Sequence, residues 1–251
     1  MNGAKELDHR VAIVTGAGRN IGRAIALELA AAGAAIVVNT RANGQEAEAV
    51  ASEIERAGGR ALPATADVTD PVALAAMVDA ATARFSRIDY LVNNAALRGE
   101  KPLDQMSYAE WRKVLDVTLD GAFHCVKACL PYLKQSGAGA IVNIGGLSAH
   151  AGSKHRAHVL TAKAGLVGFT RALAFDLAGD DVTVNCVAPG LVTTARPKDF
   201  VEPQHHAIHH TLSGKRGTAQ DVAMLVRFLC GPGARYITGQ TIHASGGAFL
   251  T

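Results

Sequence analysis

The 251-residue chain predicts an α/β fold: a single doubly wound domain whose seven-stranded parallel sheet is flanked by helices. Three observations carry that expectation. Short β-branched runs alternate with longer Ala-rich segments of helical period, the pattern of repeated βαβ units. Apolar residues make up 49% of the chain and charged residues 19%, which is enough apolar surface for one substantial core. A glycine-rich turn, Thr15-Gly16-Ala17-Gly18-Arg19-Asn20-Ile21-Gly22, stands between the first apolar run and the first helical segment, where sheets of this kind receive phosphate groups.

Taken in order, the strands are expected at 11–15, 35–39, 60–65, 88–93, 140–144, 182–187 and 240–243. Helices fill the gaps, the long ones at 20–32, 107–133 and 156–178. No repeat, low-complexity tract or Pro/Gly linker divides the chain, so residues 1–251 are expected to form one domain. The βα rhythm breaks once. Residues 195–217 form a polar segment carrying His205, His206, His209 and His210, and an insertion beyond a late strand of a doubly wound sheet predicts a lid over the ligand crevice.

Several classes of function are disfavoured. The formal charge is +3 with Lys and Arg scattered along the chain, so neither nucleic acid nor a membrane surface is an expected partner. The amino end has no apolar h-region and no stretch reaches the length of a membrane span, which makes the cytoplasm the expected location. Cys125, Cys129, Cys186 and Cys230 lack paired metal-site spacing and are expected as reduced, buried thiols. His205 with His209 and His206 with His210 have the i, i+4 spacing of metal pairs, but only Glu202 accompanies them. No metal is expected, and these histidines are read as polar lid residues facing substrate or solvent.

The glycine turn carries the first chemistry. Its glycines let the backbone approach a pyrophosphate, and the following helix offers unpaired N–H groups and a favourable dipole. Gly16, Gly18, Arg19, Asn20, Ile21 and Gly22 are candidate cofactor residues on that ground. The turn resembles the TGxxxGxG motif of short-chain dehydrogenases/reductases, with Asn20 at the second glycine; Asn tolerates a left-handed backbone better than most residues. Further segments extend the resemblance across nearly the whole chain. Asp67-Val68 resembles the adenine-contacting pair, Asn93-Asn94-Ala95-Ala96 the NNAG segment, and Pro189-Gly190 with Val192 and Thr194 the PGxxxT segment that receives the nicotinamide amide; Gly239-Gln240 and Gly246-Gly247 complete it. The resemblance implies a Rossmann-type fold and a bound nicotinamide dinucleotide. Charge selects which one: an acid after the second strand would repel a 2′-phosphate, whereas Asn39-Thr40-Arg41 contains none and Arg19 lies in the glycine turn. NADP(H) is therefore preferred over NAD(H).

The same resemblance locates the reacting positions, usually Asn, Ser, Tyr and Lys. Trp111 and residues 117–123 put Thr118 at the asparagine, residues 141–146 put Gly146 at the serine, and the YxxxK spacing puts Val159 at the tyrosine with Lys163 kept. The chain thus reads as a divergent member lacking the usual Asn, Ser and Tyr. In relatives the lysine holds the nicotinamide ribose and lowers the tyrosine pKa, and an isopropyl group can neither give nor take a proton. Replacements are sought among the histidines. His155, Val159 and Lys163 are spaced i, i+4, i+8, so a helix reaching back to 155 would align them on one crevice-facing stripe, with His155 as general acid. His150, in the loop after the fifth strand, is the second candidate; His158 points about 100° away from that stripe. Ser148 could supply a hydroxyl to the substrate.

Two readings lead, with a non-redox lyase or isomerase using the same crevice as a third. One is an NADP(H)-dependent oxidoreductase acting on a small carbonyl, imine or enone through an unorthodox proton-transfer site; the other is a catalytically silent dinucleotide-binding homologue serving as a sensor or partner subunit. Hydride turnover separates them. Through the two long central helices and the segment Gly246-Gly247-Ala248-Phe249-Leu250, the resemblance also implies a homotetramer, with a dimer next.

Overall fold

The computed structural model describes residues 5–194 and 210–250. Its strands are β1 (Val11–Val14), β2 (Ala35–Thr40), β3 (Arg60–Thr65), β4 (Tyr90–Asn93), β5 (Gly139–Ile144), β6 (Val182–Pro189), β7 (Val192–Thr193), β8 (Gly217–Thr218) and β9 (Thr241–Ala244). Seven of them form one sheet in the order β3-β2-β1-β4-β5-β6-β9, and every neighbouring pair is parallel. This is the expected doubly wound architecture. The strand order reverses between β1 and β4, and ligand crevices open at such a reversal, beyond the carboxyl ends of the strands.

The helices are α1 (Asn20–Ala31), α2 (Gly44–Arg56), α3 (Pro71–Phe85), α4 (Tyr108–Leu115), α5 (Gly121–Gln135), α6 (Ser148–Ala151), α7 (Ala157–Asp176) and α8 (Ala219–Cys230). Strand side chains alternate between two apolar layers because successive residues point to opposite faces. Ala12 and Val14 join α1, α2 and α8 on one face. Val11 and Ile13 join α3, α5 and part of α7 on the other. Both faces are covered, which explains why the strands read as continuous apolar runs. The four cysteines are unpaired and buried, as expected. Among the described residues no helix is long and apolar enough to cross a membrane.

Two expected boundaries are corrected. The helix expected at 107–133 is interrupted by a π turn, Asp116–Asp120, between α4 and α5. The last long helix begins at Ala157, after Arg156 in a non-helical conformation and His155 at φ 58°, so it does not reach back to His155. The expected lid at 195–217 falls mostly outside the described residues, as do His205, His206 and His209; His210 is described and exposed. Residues on either side of this excursion are joined by the β7–β8 pair.

Polar side chains fix the sheet from within. The amide of Asn93 donates to Asn143 Oδ1 at 2.8 Å, and Asn143 Nδ2 donates to Thr170 Oγ1 at 2.9 Å, tying β4, β5 and α7 together. Asp89, fully buried, accepts from Val11 N at 2.9 Å, Arg10 Nη1 at 2.8 Å and Arg87 Nε at 2.8 Å. Its carboxylate takes the place of a ladder carbonyl, which is why β4 begins at Tyr90 and not at the expected 88. Asp89→Ala leaves two partly exposed guanidiniums and a buried N–H without this acceptor. Urea unfolding is expected to show a loss of about 2–4 kcal/mol, the arginines' access to water keeping it below the cost of a wholly buried pair.

Candidate active site

A cavity of about 1140 Å³ lies across the β1–β4 reversal. Its wall includes every residue expected at the cofactor: Gly16, Gly18, Arg19, Asn20, Ile21, Gly22, Asn39, Thr40, Arg41, Asp67, Val68, Asn94, Ala95, Lys163, Pro189, Gly190, Val192 and Thr194. The elements explain the convergence. α3, α4 and α8 are capped by Asp70, Ser107 and Thr218, whose side chains accept first-turn N–H groups. The N-cap of α1 is Arg19, which makes no such bond. The first-turn N–H groups of α1 therefore face the cavity without a side-chain acceptor, as an anion site requires. Gly16 at φ 62° and Asn20 at φ 51° both occupy the left-handed region, so Asn20 does what a glycine would do there.

The turn is held by Asn94. Its Nδ2 donates to the carbonyls of Thr15 at 2.9 Å and Gly16 at 3.0 Å, while Thr15 Oγ1 accepts from the backbone N–H of Asn94 and Ala95, each at 3.0 Å. At the end of β2, Asn39 is buried and donates to Ala66 O at 3.0 Å, so its side chain secures the sheet and leaves the exposed Arg19 and Arg41 as the cationic groups at this end. Glu46 of α2 also lines the cavity and packs against Gly18, where a Cβ would lie 2.8 Å from its Oε2. Sequence reading missed this acid because it lies in the following helix, beyond the end of the strand.

At the opposite end the stripe of α7 on the cavity is Arg156, Val159, Leu160 and Lys163, with the 0, 3, 4, 7 spacing of one helical face. The expected stripe contained His155 in place of Arg156. His155 precedes the helix in a left-handed conformation, is exposed, and is not part of the cavity wall. His150 turns away into a cluster with His243 and Phe249, its ring centroid 4.5 Å from that of His243; burial lowers the pKa of both imidazoles. His158 is buried beside Gly99. Thr118 sits in the π turn with its Oγ1 buried and without a hydrogen-bond partner, while its neighbour Val117 reaches the wall. Ser148 is on the wall and accepts from Arg156 Nη1 at 3.2 Å.

Lys163 is the protic group best placed at this end. It is 9% exposed and donates from Nζ to the carbonyl of Ile144. Burial first, then the positive charges of Arg98 and Arg156, lower its pKa to about 7, with Cys186 acting in the opposite sense. Gly146 faces open space where a Cβ would stand. Arg98, Glu100 and Arg156 also line the cavity; they were missed because isolated charges in a sequence read as solvated surface. Among the described residues no cluster suits a metal ion.

The folded state favours the neutral Lys163 amine. Its stabilising effect is therefore complete above the ordinary value of 10.5 and is lost as pH falls toward about 7. Urea unfolding of the parent and of Lys163→Met across this range is expected to show the parent losing stability relative to the variant by up to ~1.4 kcal/mol per pH unit, with the difference levelling off below 7.

Comparison with known proteins places the chain. The family described as Enoyl-(Acyl carrier protein) reductase matches residues 16–248. A 3-oxoacyl-[acyl-carrier-protein] reductase of Synechocystis sp. is 39% identical over 246 residues, covering 97% of this chain and 98% of the relative. A 7α-hydroxysteroid dehydrogenase complexed with NADH and 7-oxo glycochenodeoxycholic acid superposes with a TM-score of 0.90 at 34% identity, over 98% of each chain. A short-chain dehydrogenase of Burkholderia cenocepacia in complex with NADP does so with a TM-score of 0.90 at 35% identity, over 97% of this chain and 99% of that one. Matches at this level over nearly the whole chain make it a member of the short-chain dehydrogenase/reductase family.

Proposed function

We propose that the protein is an NADP(H)-dependent oxidoreductase that transfers hydride to or from a small carbonyl, imine or enone substrate through a non-standard proton-transfer site. The observation that carries this reading is Lys163, buried at the cavity end with a pKa near 7 and with Val159 one turn before it on the same helical face. A relative named as a 3-oxoacyl-[acyl-carrier-protein] reductase supports carbonyl chemistry. One structural neighbour holds NADH and another NADP, so the preference for NADP(H) rests on Arg19 and Arg41 at the adenosine end.

The residues present fit a dinucleotide. The uncapped start of α1 would take the pyrophosphate, Arg19 and Arg41 the 2′-phosphate, Asp67 and Val68 the adenine, and Asn94, Ala95, Pro189, Gly190, Val192 and Thr194 the nicotinamide half. The bound dinucleotide supplies or accepts the hydride. Lys163 orients the ribose and, populated in both protonation states near pH 7, holds or releases a proton at Nζ. In the protonated form it also stabilises negative charge on the reacting atom. Ser148 is the nearby hydroxyl that can donate to substrate. Homotetrameric assembly belongs to the same proposal and is supported by the exposed apolar side chains Phe123 on α5, Phe175 on α7 and Leu250.

Fluorescence titration is expected to show NADPH binding roughly tenfold more tightly than NADH, a preference that Arg19→Ala with Arg41→Ala removes. Glu46→Gln is expected to tighten NADPH further, because a nearby acid opposes the 2′-phosphate. Binding of neither dinucleotide by folded protein refutes the oxidoreductase reading. Gly146→Ser with Val159→Tyr is expected to raise turnover of simple ketones by about 10²-fold or more, through a conventional proton donor and carbonyl-polarising hydroxyl. Equal rates in parent and double variant would show that the parent site already supplies what we take to be missing.

A further inference from the structure

The reacting end of the cavity has a charge pattern that hydride chemistry alone does not require. Arg156 is only 8% exposed, yet it lines the cavity. Burying a guanidinium is unfavourable unless polar partners surround it, and Ser148 Oγ provides one at 3.2 Å. Arg98, from the segment after β4, lines the same space. The two arginines lie close enough for the charge of Arg98 to lower the pKa of Arg156, and both charges act on Lys163. Glu100, also on the wall, offsets part of this field. Both arginines engage other groups of the fold as well; a guanidinium carries five N–H donors, so a ligand can share it with these partners.

The geometry points to an anion-binding subsite made by Arg156 and Arg98, so that the substrate is a carbonyl compound carrying a carboxylate or phosphate group. This deepens the oxidoreductase reading and rests on it for the carbonyl. Arg156 and Lys163 are seven residues apart on one face, a separation of roughly 10 Å along the helix. Val159 and Leu160 lie between them on the cavity wall. A ligand spanning the stripe therefore has its reactive carbonyl at Lys163, a short apolar stretch over Val159 and Leu160, and its anionic group at the arginine pair. Arginine suits that end because its planar fork pairs with two oxygens of an oxyacid at once.

The test compares matched ligands in direct binding. Aliphatic oxo-carboxylates of four to eight carbons, their methyl esters, and oxo-phosphates of equal length are titrated calorimetrically into the protein with and without NADPH. A carboxylate or phosphate of one chain length is expected to bind at least tenfold more tightly than its uncharged ester, and whichever acid binds better identifies the anion. Arg156→Gln is expected to bring the acid down to the ester's level, Arg156→Lys to keep part of the preference, and Arg98→Gln, at an exposed position, to reduce it severalfold. Circular dichroism checks that each variant is folded. Equal affinity for acid and ester, no binding by any member of the series, or a preference that survives in folded Arg156→Gln and Arg98→Gln overturns the proposal. Failure of the oxidoreductase reading shows separately, as absence of NADPH binding, because acid-over-ester selectivity is read in the cofactor-free protein too.

Discussion

At the reversal of strand order, the chains leaving β1 and β4 run in opposite directions, and the hydrogen-bond ladder between them ends at the half-buried edge of the cavity. The backbone N–H groups of Asn94 and Ala95 both donate to Thr15 Oγ1 there, that of Asn94 also reaching Val92 O at 3.1 Å. The side chain of Asn94 returns two donor bonds to the carbonyls of Thr15 and Gly16. Each of these groups would be costly to leave unpaired, so the two loops are locked as one unit. This clasp ties Gly16, and with it the turn that leads into α1, to the end of β4.

The opposite end is organised by α7. The chain Asn93–Asn143–Thr170 fixes the helix against β4 and β5, and the same helix carries Lys163 and, at its N-cap, Arg156. A cation held in a largely dry site has a lower pKa, and here two further cations add to that effect. Val159, one turn before it, carries no titratable group, so the effect of this field falls on the amine itself.

Much of this was legible in the sequence. The inner strands β1, β2, β4, β5 and β6 could be read because each is buried on both faces, and the cavity wall because motif spacing in a βαβ chain fixes which loops meet at the carboxyl edge. What escaped depended on a few dihedral angles or on through-space contacts. The start of α7 turns on His155 adopting φ 58°, which no periodicity reveals; it moved the cavity stripe by one residue, from His155 to Arg156. The π turn around Thr118 adds a residue to a helical turn without any Gly or Pro to mark it. Glu46, Arg98 and Glu100 reach the cavity from elements that motif matching leaves blank, and their charges looked like ordinary solvated surface.

The short β7–β8 pair has a consequence for how specificity can change. Its backbone bonds, together with Gly217 N to Leu191 O at 2.9 Å, bring the two ends of the excursion after Thr194 to one point beside the cavity. With two ends held, doubling the length of a flexible connection costs only about 0.6 kcal/mol in closure entropy. A change of length between these anchors that keeps the bond from Ser213 N to Gly246 O, 3.1 Å, therefore costs the sheet below little. The fold has in effect a socket: the length of chain between the two anchors can change while the cavity wall beside them keeps its place.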